Sequence, residues 1–545
     1  MLSTTDQAAA TTEKRRIVIV GGGFAGIFAA RELAKKLPAS DYQIEMISER
    51  NYFVFQPLLP EVAAGTINSQ DAVAPLRALL PNVRVREAEV ISIDRRNRRI
   101  AYLHGRRRRA LSLQYDHLIL AGGQSYRPEM MAGFRSHSLP MRDLNDAYRL
   151  RNHVIGCLEL AEATDDPAIR REALTFVVAG GGFSGVETTG ELVEMIRRAC
   201  RYYPSIKADE VRFHIIHRGD RLLPEMSEKL GTFAERHLRR HGVDVQLDTS
   251  LTGATSHAVH TDAGQIQCRT LVSTIGNGPS ALTEKLALPL HRGRIKTDPQ
   301  LHVEDEKNIW AIGDMAAIPI AAQQIAPPTA QFAIREARAL AANLQRQETG
   351  KPLRAFHYQP LGSMASLGHY RAVASVCGIS FHGLFAWLLW RTFYIAIMPG
   401  FATRLRVMLN WAFDYFLPRN IVNMSEPEPR GCQERVYNTG DVLFRQGQFL
   451  DGFYTVISGE LQFESEREDG SIMRKTIRPG DHWGEWILDH GGITTGTLRA
   501  IDTSHVLVMA SPDFHLLKKT LPAFADYFAT IPAQHYSQAQ SKKEQ

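Results

Sequence analysis

Two apolar runs, residues 17–20 and 175–179, each break into three glycines and then into the period of an amphipathic helix. Runs of this kind, bounded by glycine, read as buried strands of a parallel sheet. The helices they open are predicted to reach about residue 37 in the first case and 201 in the second. Between and beyond them the pattern predicts strands at 42–47, 117–120, 211–216, 271–275 and 309–312, and helices at 143–163 and 330–347. Residues 53–65 are apolar but too rich in proline for a single helix. Short β-like runs fill 83–120, separated by the clusters Arg95, Arg96, Arg98, Arg99 and Arg106, Arg107, Arg108, Arg109. These clusters read as solvated hairpin turns, with phosphate or lipid contact as the alternative. Residues 379–390 and 392–399 are nearly all apolar, interrupted by Arg391 and ended by Pro399 and Gly400. After a linker at 425–431 the pattern turns to short strands and tight turns, which predicts a separate small β domain. The expected division is a disordered 1–15, a discontinuous first nucleotide domain (16–150 and 295–350), a second one (151–294), a helical region (351–424) and the β domain (425–545).

The glycines define the chemistry. Gly21, Gly23 and Gly26 stand at G-x-G-x-x-G spacing within Gly21, Gly22, Gly23, Phe24, Ala25, Gly26, and Gly180, Gly182 and Gly185 repeat it around Phe183 and Ser184. In this motif the first glycine makes the tight turn, the second lets the backbone approach a pyrophosphate, and the third lets helix pack on strand. The helix N-terminus then faces the phosphates. Two copies imply two dinucleotide sites: FAD at the first and a nicotinamide nucleotide at the second. Glu49, beside Arg50 at the end of the second strand, is placed to hold a ribose. Gly122 lies in a small-residue turn where the chain can pass close to a flavin. Gly313 and Asp314 end a later strand, the aspartate facing the ribityl chain or its neighbourhood. Thr329 is an expected N-cap for a helix starting at Ala330, whose N-terminus would face the electron-rich edge of the flavin ring. In the second domain, His217 and Arg218 stand where a ribose-binding acid is expected, so NADPH stays open beside NADH. Gly276 ends another strand of that domain.

Composition refines this picture. The chain has 545 residues, 44% of them hydrophobic, and a net charge of +6, which is a modest excess for its length. Five cysteines, Cys157, Cys200, Cys268, Cys377 and Cys432, form no C-x-x-C or C-x4-C pair, so neither a disulfide framework nor a metal site is expected. The polar N-terminus carries no apolar core of a secretory signal. No uninterrupted stretch of 18 apolar residues exists in 379–417, so an in-plane membrane anchor is expected there, with a buried dimer interface or core helix pair as the alternative.

The first ~420 residues resemble the type II NADH:quinone oxidoreductases. The stretches that carry the resemblance are 21–26, 51–65, 180–191, 221–224, 311–314, 327–337 and the arginine-bearing apolar region. The resemblance implies two Rossmann-like α/β domains with amphipathic C-terminal helices, FAD, NADH, a membrane quinone and peripheral attachment to the cytoplasmic side of the inner or plasma membrane. It further implies that Ala330 and Gln331 form the alanine–glutamine motif below the flavin, with Gln331 lining the quinone site. Arg335 stands where the family often has a second glutamine. Glu187 matches an acid near the nicotinamide and flavin that would aid proton delivery, although a carboxylate in a first helical turn is also favoured by the dipole alone. The last ~115 residues resemble a cyclic-nucleotide-binding β-roll, with Glu485 at the ribose position but Thr494 where that family uses arginine for the phosphate. The roll is therefore either a cyclic-nucleotide or other ligand site or a contact domain. No nucleic-acid partner is expected, and a homodimer is compatible with the resemblance. The competing readings are a soluble NAD(P)H oxidase or reductase using oxygen or a protein acceptor, and a ligand-gated redox sensor.

Overall fold

The computed structural model describes residues 14–530 except 106–108, 127–130, 132, 322–323, 369, 424–430, 449, 451, 467–470 and 490–493. The polar N-terminus up to residue 13, most of the expected linker, three of the clustered arginines and Gly491, Gly492 and Ile493 lie outside the described residues.

The first glycine motif grows from the strand Arg15–Val20, which is central in a seven-stranded sheet. Its residues Ile17 to Val20 are fully covered, which explains why they are apolar without alternation. Tyr42–Ser48 and His117–Leu120 flank it in parallel, with Ile17 opposite both Ile44 and His117. Ile309–Ala311 adds in parallel beside His117–Leu120. Three connections therefore leave the sheet at one end: Gly21, Ala121 and Gly313. This is the carboxyl end of parallel strands, where open α/β sheets bind ligands. On the far side, Arg84–Asp94, Arg99–His104 and Arg109–Gln114 form an antiparallel extension, and Asp94 to Asn97 close its first hairpin by an aspartate–asparagine turn.

The second motif grows from Thr175–Ala179 in a five-stranded, all-parallel sheet with Leu139–Pro140, Thr270–Ser273, Arg212–Ile216 and Val243–Gln246. The helix Leu144–Ala163 leads into it. Its start is fixed by Asp143, whose side chain accepts the Asp146 N–H while Asp146 reaches back to the Asp143 N–H. That reciprocal pairing satisfies donors the helix leaves orphaned. The helix Ala330–Glu348 packs on Phe24–Lys36, and Thr329 caps it by accepting the Phe332 N–H at 3.4 Å, as expected.

The region 351–424 is not helical throughout. The first apolar run opens as a strand, Ile379–Gly383, in an antiparallel sheet with Ala372–Val376 and Gly362–Ser366. Only from Leu384 does it become a helix, Leu384–Ile397, which contains Arg391 instead of being split by it. Gly400, at a φ of +91°, then turns the chain into Phe401–Phe416. Trp390, Met398 and Val407 point into the core, while Phe385, Leu388, Phe401, Leu405, Phe413 and Phe416 are left exposed. Among the described residues no helix is long and apolar enough to cross a membrane.

The last domain has two four-stranded antiparallel sheets around their own core of Tyr454, Phe463, Trp483, Leu498 and Val506. Its strand Cys432–Tyr437 lies against the short helix Phe134–His137, where the Val436 N–H donates to His137 Nε2 at 3.3 Å. Asn438 Nδ2 and His260 Nε2 meet at 2.7 Å. Burial holds the His137 imidazole neutral, its pKa pushed down to about 4, which suits it to accept that bond.

Candidate functional site

The two glycine turns share one geometry. Gly21 has a φ of +114° and Gly180 one of +112°, conformations that side chains rarely adopt. A Cβ on Gly26 would lie 2.0 Å from the Gly21 carbonyl oxygen, and one on Gly185 1.8 Å from that of Gly180. The middle glycines differ in kind. Around a Cβ on Gly23 nothing lies within 4 Å, and around one on Gly182 only the end of Glu225 comes that near. The first and third glycines are thus required by the protein itself, whereas the second faces open space at the start of a helix. That combination fits a pyrophosphate in each domain.

The neighbouring residues divide into free and committed groups. Phe24 and Ala25 are buried at the start of the first helix, and Phe24 packs edge-on against Phe53 with ring centroids 4.9 Å apart. A Cβ on Gly22 would strike Ser48 Oγ at 2.6 Å, so this turn sits tightly on the second strand. Glu49 is exposed at that strand's end, while Arg50 pairs with Asp143. Gly122 is exposed beside Met315. Gly313, at a φ of +71°, allows Ala25 to approach, since a Cβ there would lie 2.9 Å from the alanine's own. Its N–H donates to the buried Glu336 at 2.7 Å. Burial pushes the Glu336 pKa up to about 7 and also raises that of Asp314. In the second domain, His217 Nδ1 accepts the Gly181 N–H at 3.2 Å, and burial lowers its pKa. The ring is therefore a neutral brace for the glycine turn, with its Nε2–H left as a donor. Arg218 and Ser184 are exposed, and Gly276 turns at a φ of +88°.

One strand, Gly362–Ser366, holds two of the three residues expected to act on the acceptor, Gln331 and Glu187. At its start the Gly362 carbonyl accepts from Gln331 Nε2 at 2.9 Å. At its end the Ser366 N–H donates to Glu187 Oε1 at 3.0 Å. Four residues of extended chain separate these ends by roughly 13 Å. Gln331 is held at its other atom by the Tyr358 hydroxyl, which donates to Oε1 at 3.1 Å. Arg335 lies over the Tyr358 ring, 5.2 Å from its centroid, and so reaches Gln331 only by way of that tyrosine. Trp390 Nε1–H also donates to Glu187 Oε1, at 3.1 Å. The helix opens at Phe183, so Glu187 lies beyond its first turn and the dipole does not account for it. It is buried, and burial drives its pKa up to about 8, against the pull of its two donors.

Residues 15–337 match the family described as pyridine nucleotide-disulphide oxidoreductase, 361–420 the NDH2 C-terminal domain, and 434–520 the cyclic nucleotide-binding domain. Type II NADH:quinone oxidoreductase NdhA of Mycobacterium tuberculosis is 31% identical over 416 residues, 72% of this chain and 85% of that protein. The chain belongs to the type II NADH:quinone oxidoreductase family. Demethylphylloquinone reductase NdbB of Synechocystis is 32% identical over 399 residues, 71% of this chain and 93% of its own length. The fold is that of the Plasmodium falciparum NDH2 structure in complex with NADH, with a TM-score of 0.69 at 20% identity over 75% of this chain and 100% of that one. All five cysteines are free in the structure.

Sequence reasoning missed several buried charges beside this family site. Glu61, from the proline-rich segment, is buried with Oε2 accepting from Trp411 Nε1 at 2.8 Å and Oε1 3.4 Å from Arg391 Nη2. Arg391 is clamped between Trp387 and Trp411, 4.0 and 4.3 Å from their ring centroids. Glu191 is buried one turn after Glu187. A carboxylate flanked by apolar residues at helical period, Phe332, Ala333, Ala339 and Leu340, was the available signal for Glu336, whereas Glu191 has mostly polar neighbours at that period and carried none.

In the β-roll, Thr494 is buried and its hydroxyl is spent inside the domain. It donates to the carbonyls of Arg445 and Gln448, at 2.5 and 3.0 Å, and accepts from the Gln448 N–H. It pins the turn before Gly447 and offers no charge to a phosphate. Glu485 is buried, its nearest basic partner being His482 at 3.9 Å.

Gly26→Ala and Gly23→Ala are expected to separate two roles. The first forces a backbone clash worth about 1–3 kcal/mol and lowers the thermal midpoint of the apoprotein. The second leaves that midpoint in place and reduces the flavin retained on purification. Glu187 generates a pH prediction. Its folded pKa is raised, so its contribution to stability is complete below the unfolded carboxyl value of ~4.3 and is lost as pH rises through about 8. Glu187→Gln is expected to flatten the fall of the thermal midpoint between those limits, measured by calorimetry.

Proposed function

We propose that the protein is a non-pumping NADH dehydrogenase that passes electrons from NADH, through FAD, to a membrane quinone. FAD bound on the first domain would supply the hydride acceptance and the two-electron release. The chain's own residues bind and orient the partners. The turn at Gly21, Gly23 and Gly26 with the helix from Phe24 would hold the flavin nucleotide, assisted by Glu49, Gly313 and Asp314. The turn at Gly180, Gly182 and Gly185 would hold NADH, with His217 Nε2–H as a ribose donor and Arg218 nearby for NADPH. Gln331 would line the quinone site, kept in place by Gly362 and Tyr358, and Arg335 would tune it through the tyrosine ring. Glu187, protonated up to about pH 8, can give a proton to a reduced acceptor.

The observation that carries this reading is the strand Gly362–Ser366, which joins Gln331 to Glu187 and continues by two hairpins into the apolar helices. Phe401 and Phe416 are 79% and 78% exposed there. An apolar face of this extent supports attachment in the plane of a bilayer, where a quinone resides, and on the cytoplasmic side where NADH is found. A second copy of the chain is the other occupant that such a face suits. The β-roll, docked through Val436 and Asn438, is read as a contact domain that does not take a cyclic phosphate.

Anaerobic stopped-flow spectroscopy tests the reading. NADH is expected to bleach the flavin, and a short-chain quinone to restore it roughly tenfold or more faster than dissolved oxygen does. Bleaching without quinone-dependent recovery would reject it in favour of an oxidase, a protein acceptor or a sensor. Cyclic AMP is expected to change neither turnover nor the thermal midpoint. A rise in midpoint with its concentration would overturn the contact-domain reading.

A further inference from the structure

Quinone reduction has a proton balance that the hydride alone does not close. NADH, a quinone and one proton give NAD+ and a quinol, so one of the quinol's two protons must come from water in each turnover. Glu187 is buried under Trp390 and the strand Gly362–Ser366. A proton therefore needs a path to it.

Behind Glu187 lies a connected group of buried charges. Glu191 follows one turn later on the same face of the helix Phe183–Ala199. Its Oε2 receives the Thr66 hydroxyl at 3.5 Å and lies 3.8 Å from Arg419 Nη2. The Thr66 N–H is bonded to the carbonyl of Glu61, which ties that acid to the same junction. Arg419 Nε donates to Asp414 at 2.8 Å, and Arg198 meets both Glu194, at 2.6 Å, and Asp414, at 3.5 Å. Glu61 is faced by Arg391 and Trp411 from the two apolar helices, by Glu187 and Glu191 from the helix Phe183–Ala199, and by Arg419 from the segment after them. The acids Glu61, Glu191, Glu194 and Asp414 thus share the guanidinium groups of Arg198, Arg391 and Arg419, and Glu187 is the fifth acid of the group, facing Glu61 and Glu191. Acids outnumber bases, and an uncompensated buried carboxylate is held as its neutral acid. Burial accordingly pushes Glu61 up to about 7, and raises Glu191 as well. At its outer end the group meets a shallow surface cleft of about 10 Å³, room for a single water, lined by Arg198, Arg201, Tyr202, Pro418 and Arg419.

We propose that Glu191 and Glu61 relay protons from this cleft to Glu187, and that the substrate they serve is the reduced quinone. The inference rests on the quinone reading above. Each step moves one proton: a proton from bulk solvent enters by the cleft and passes to Glu191, Glu191 or Glu61 refills Glu187, and Glu187 protonates the acceptor oxygen. Where two acids share no hydrogen bond, a bridging water carries the step. Arg391, locked between its two indoles, and Arg419 keep the excess of protons small enough for transfer in both directions.

The test compares two acceptors in full-length, detergent-purified protein. Ferricyanide takes electrons without protons, whereas a short-chain quinone needs both. In Glu191→Gln and Glu61→Gln the ratio of quinone to ferricyanide turnover is expected to fall on the order of tenfold or more, with a steeper loss above pH 7 and a larger solvent isotope effect. Flavin content and the rate of bleaching by NADH verify that each variant has folded; if one has not, the other carries the measurement. An unchanged ratio in a folded variant, or quinone and ferricyanide rates falling together, would overturn the relay. If the unaltered protein reduces ferricyanide but not quinone, the quinone reading itself fails, a result distinct from any effect of the variants.

Discussion

Backbone pressed on backbone is the constraint from which the rest of this molecule follows. At Gly26 and Gly185 a helix meets the carbonyl of the preceding turn so closely that a single methyl group has no room. That contact fixes the angle at which each helix leaves its sheet, and hence where its free N–H groups point. Gly313 repeats the device between domain segments, since Ala25 fills the space its side chain would need. Three distant pieces of sequence are brought to one sheet end by contacts that tolerate only glycine. The nucleotide sites follow from packing inside the protein as much as from affinity for a ligand.

The parts of this design that depend on local spacing were legible in the sequence. Both glycine turns, the Thr329 cap, the Asp143 helix start and the exposed acid Glu49 are written in runs of a few residues. Other features depend on partners far along the chain and left no local trace. Arg391 meets Glu61 across 330 positions, and Trp411 meets it across 350. Nothing near Arg391 in sequence distinguishes a clamped buried cation from an interruption in an apolar run. The strand Ile379–Gly383 was hidden for a related reason, because a short apolar run has the same appearance in a strand and in a helix. Thr494 could be recognised as a missing arginine, but not as the pin of the distant turn between Arg445 and Gln448.

The C-terminal segment contributes more than an exposed apolar face. Its two helices supply Trp390, Arg391 and Trp411 to carboxylates borne by the nucleotide domains, and its strand holds Gln331. Removing it would leave Glu61 and Glu187 without most of their partners, so the surface region and the redox core cannot vary independently. The β-roll stands in a different relation. It meets the second domain through a backbone N–H on His137 and an amide on His260, contacts that are few and polar.

The exposed apolar face has a kinetic consequence. With the proposed attachment through the exposed Phe401, Phe413 and Phe416, the protein would meet one reactant by diffusion through a volume and the other by diffusion within a sheet. The relevant concentration of the second is then an amount per lipid area. Diluting the lipid with inert lipid would starve the enzyme even while every bulk concentration stays fixed. Swelling the aqueous volume at constant lipid would starve only the nucleotide side.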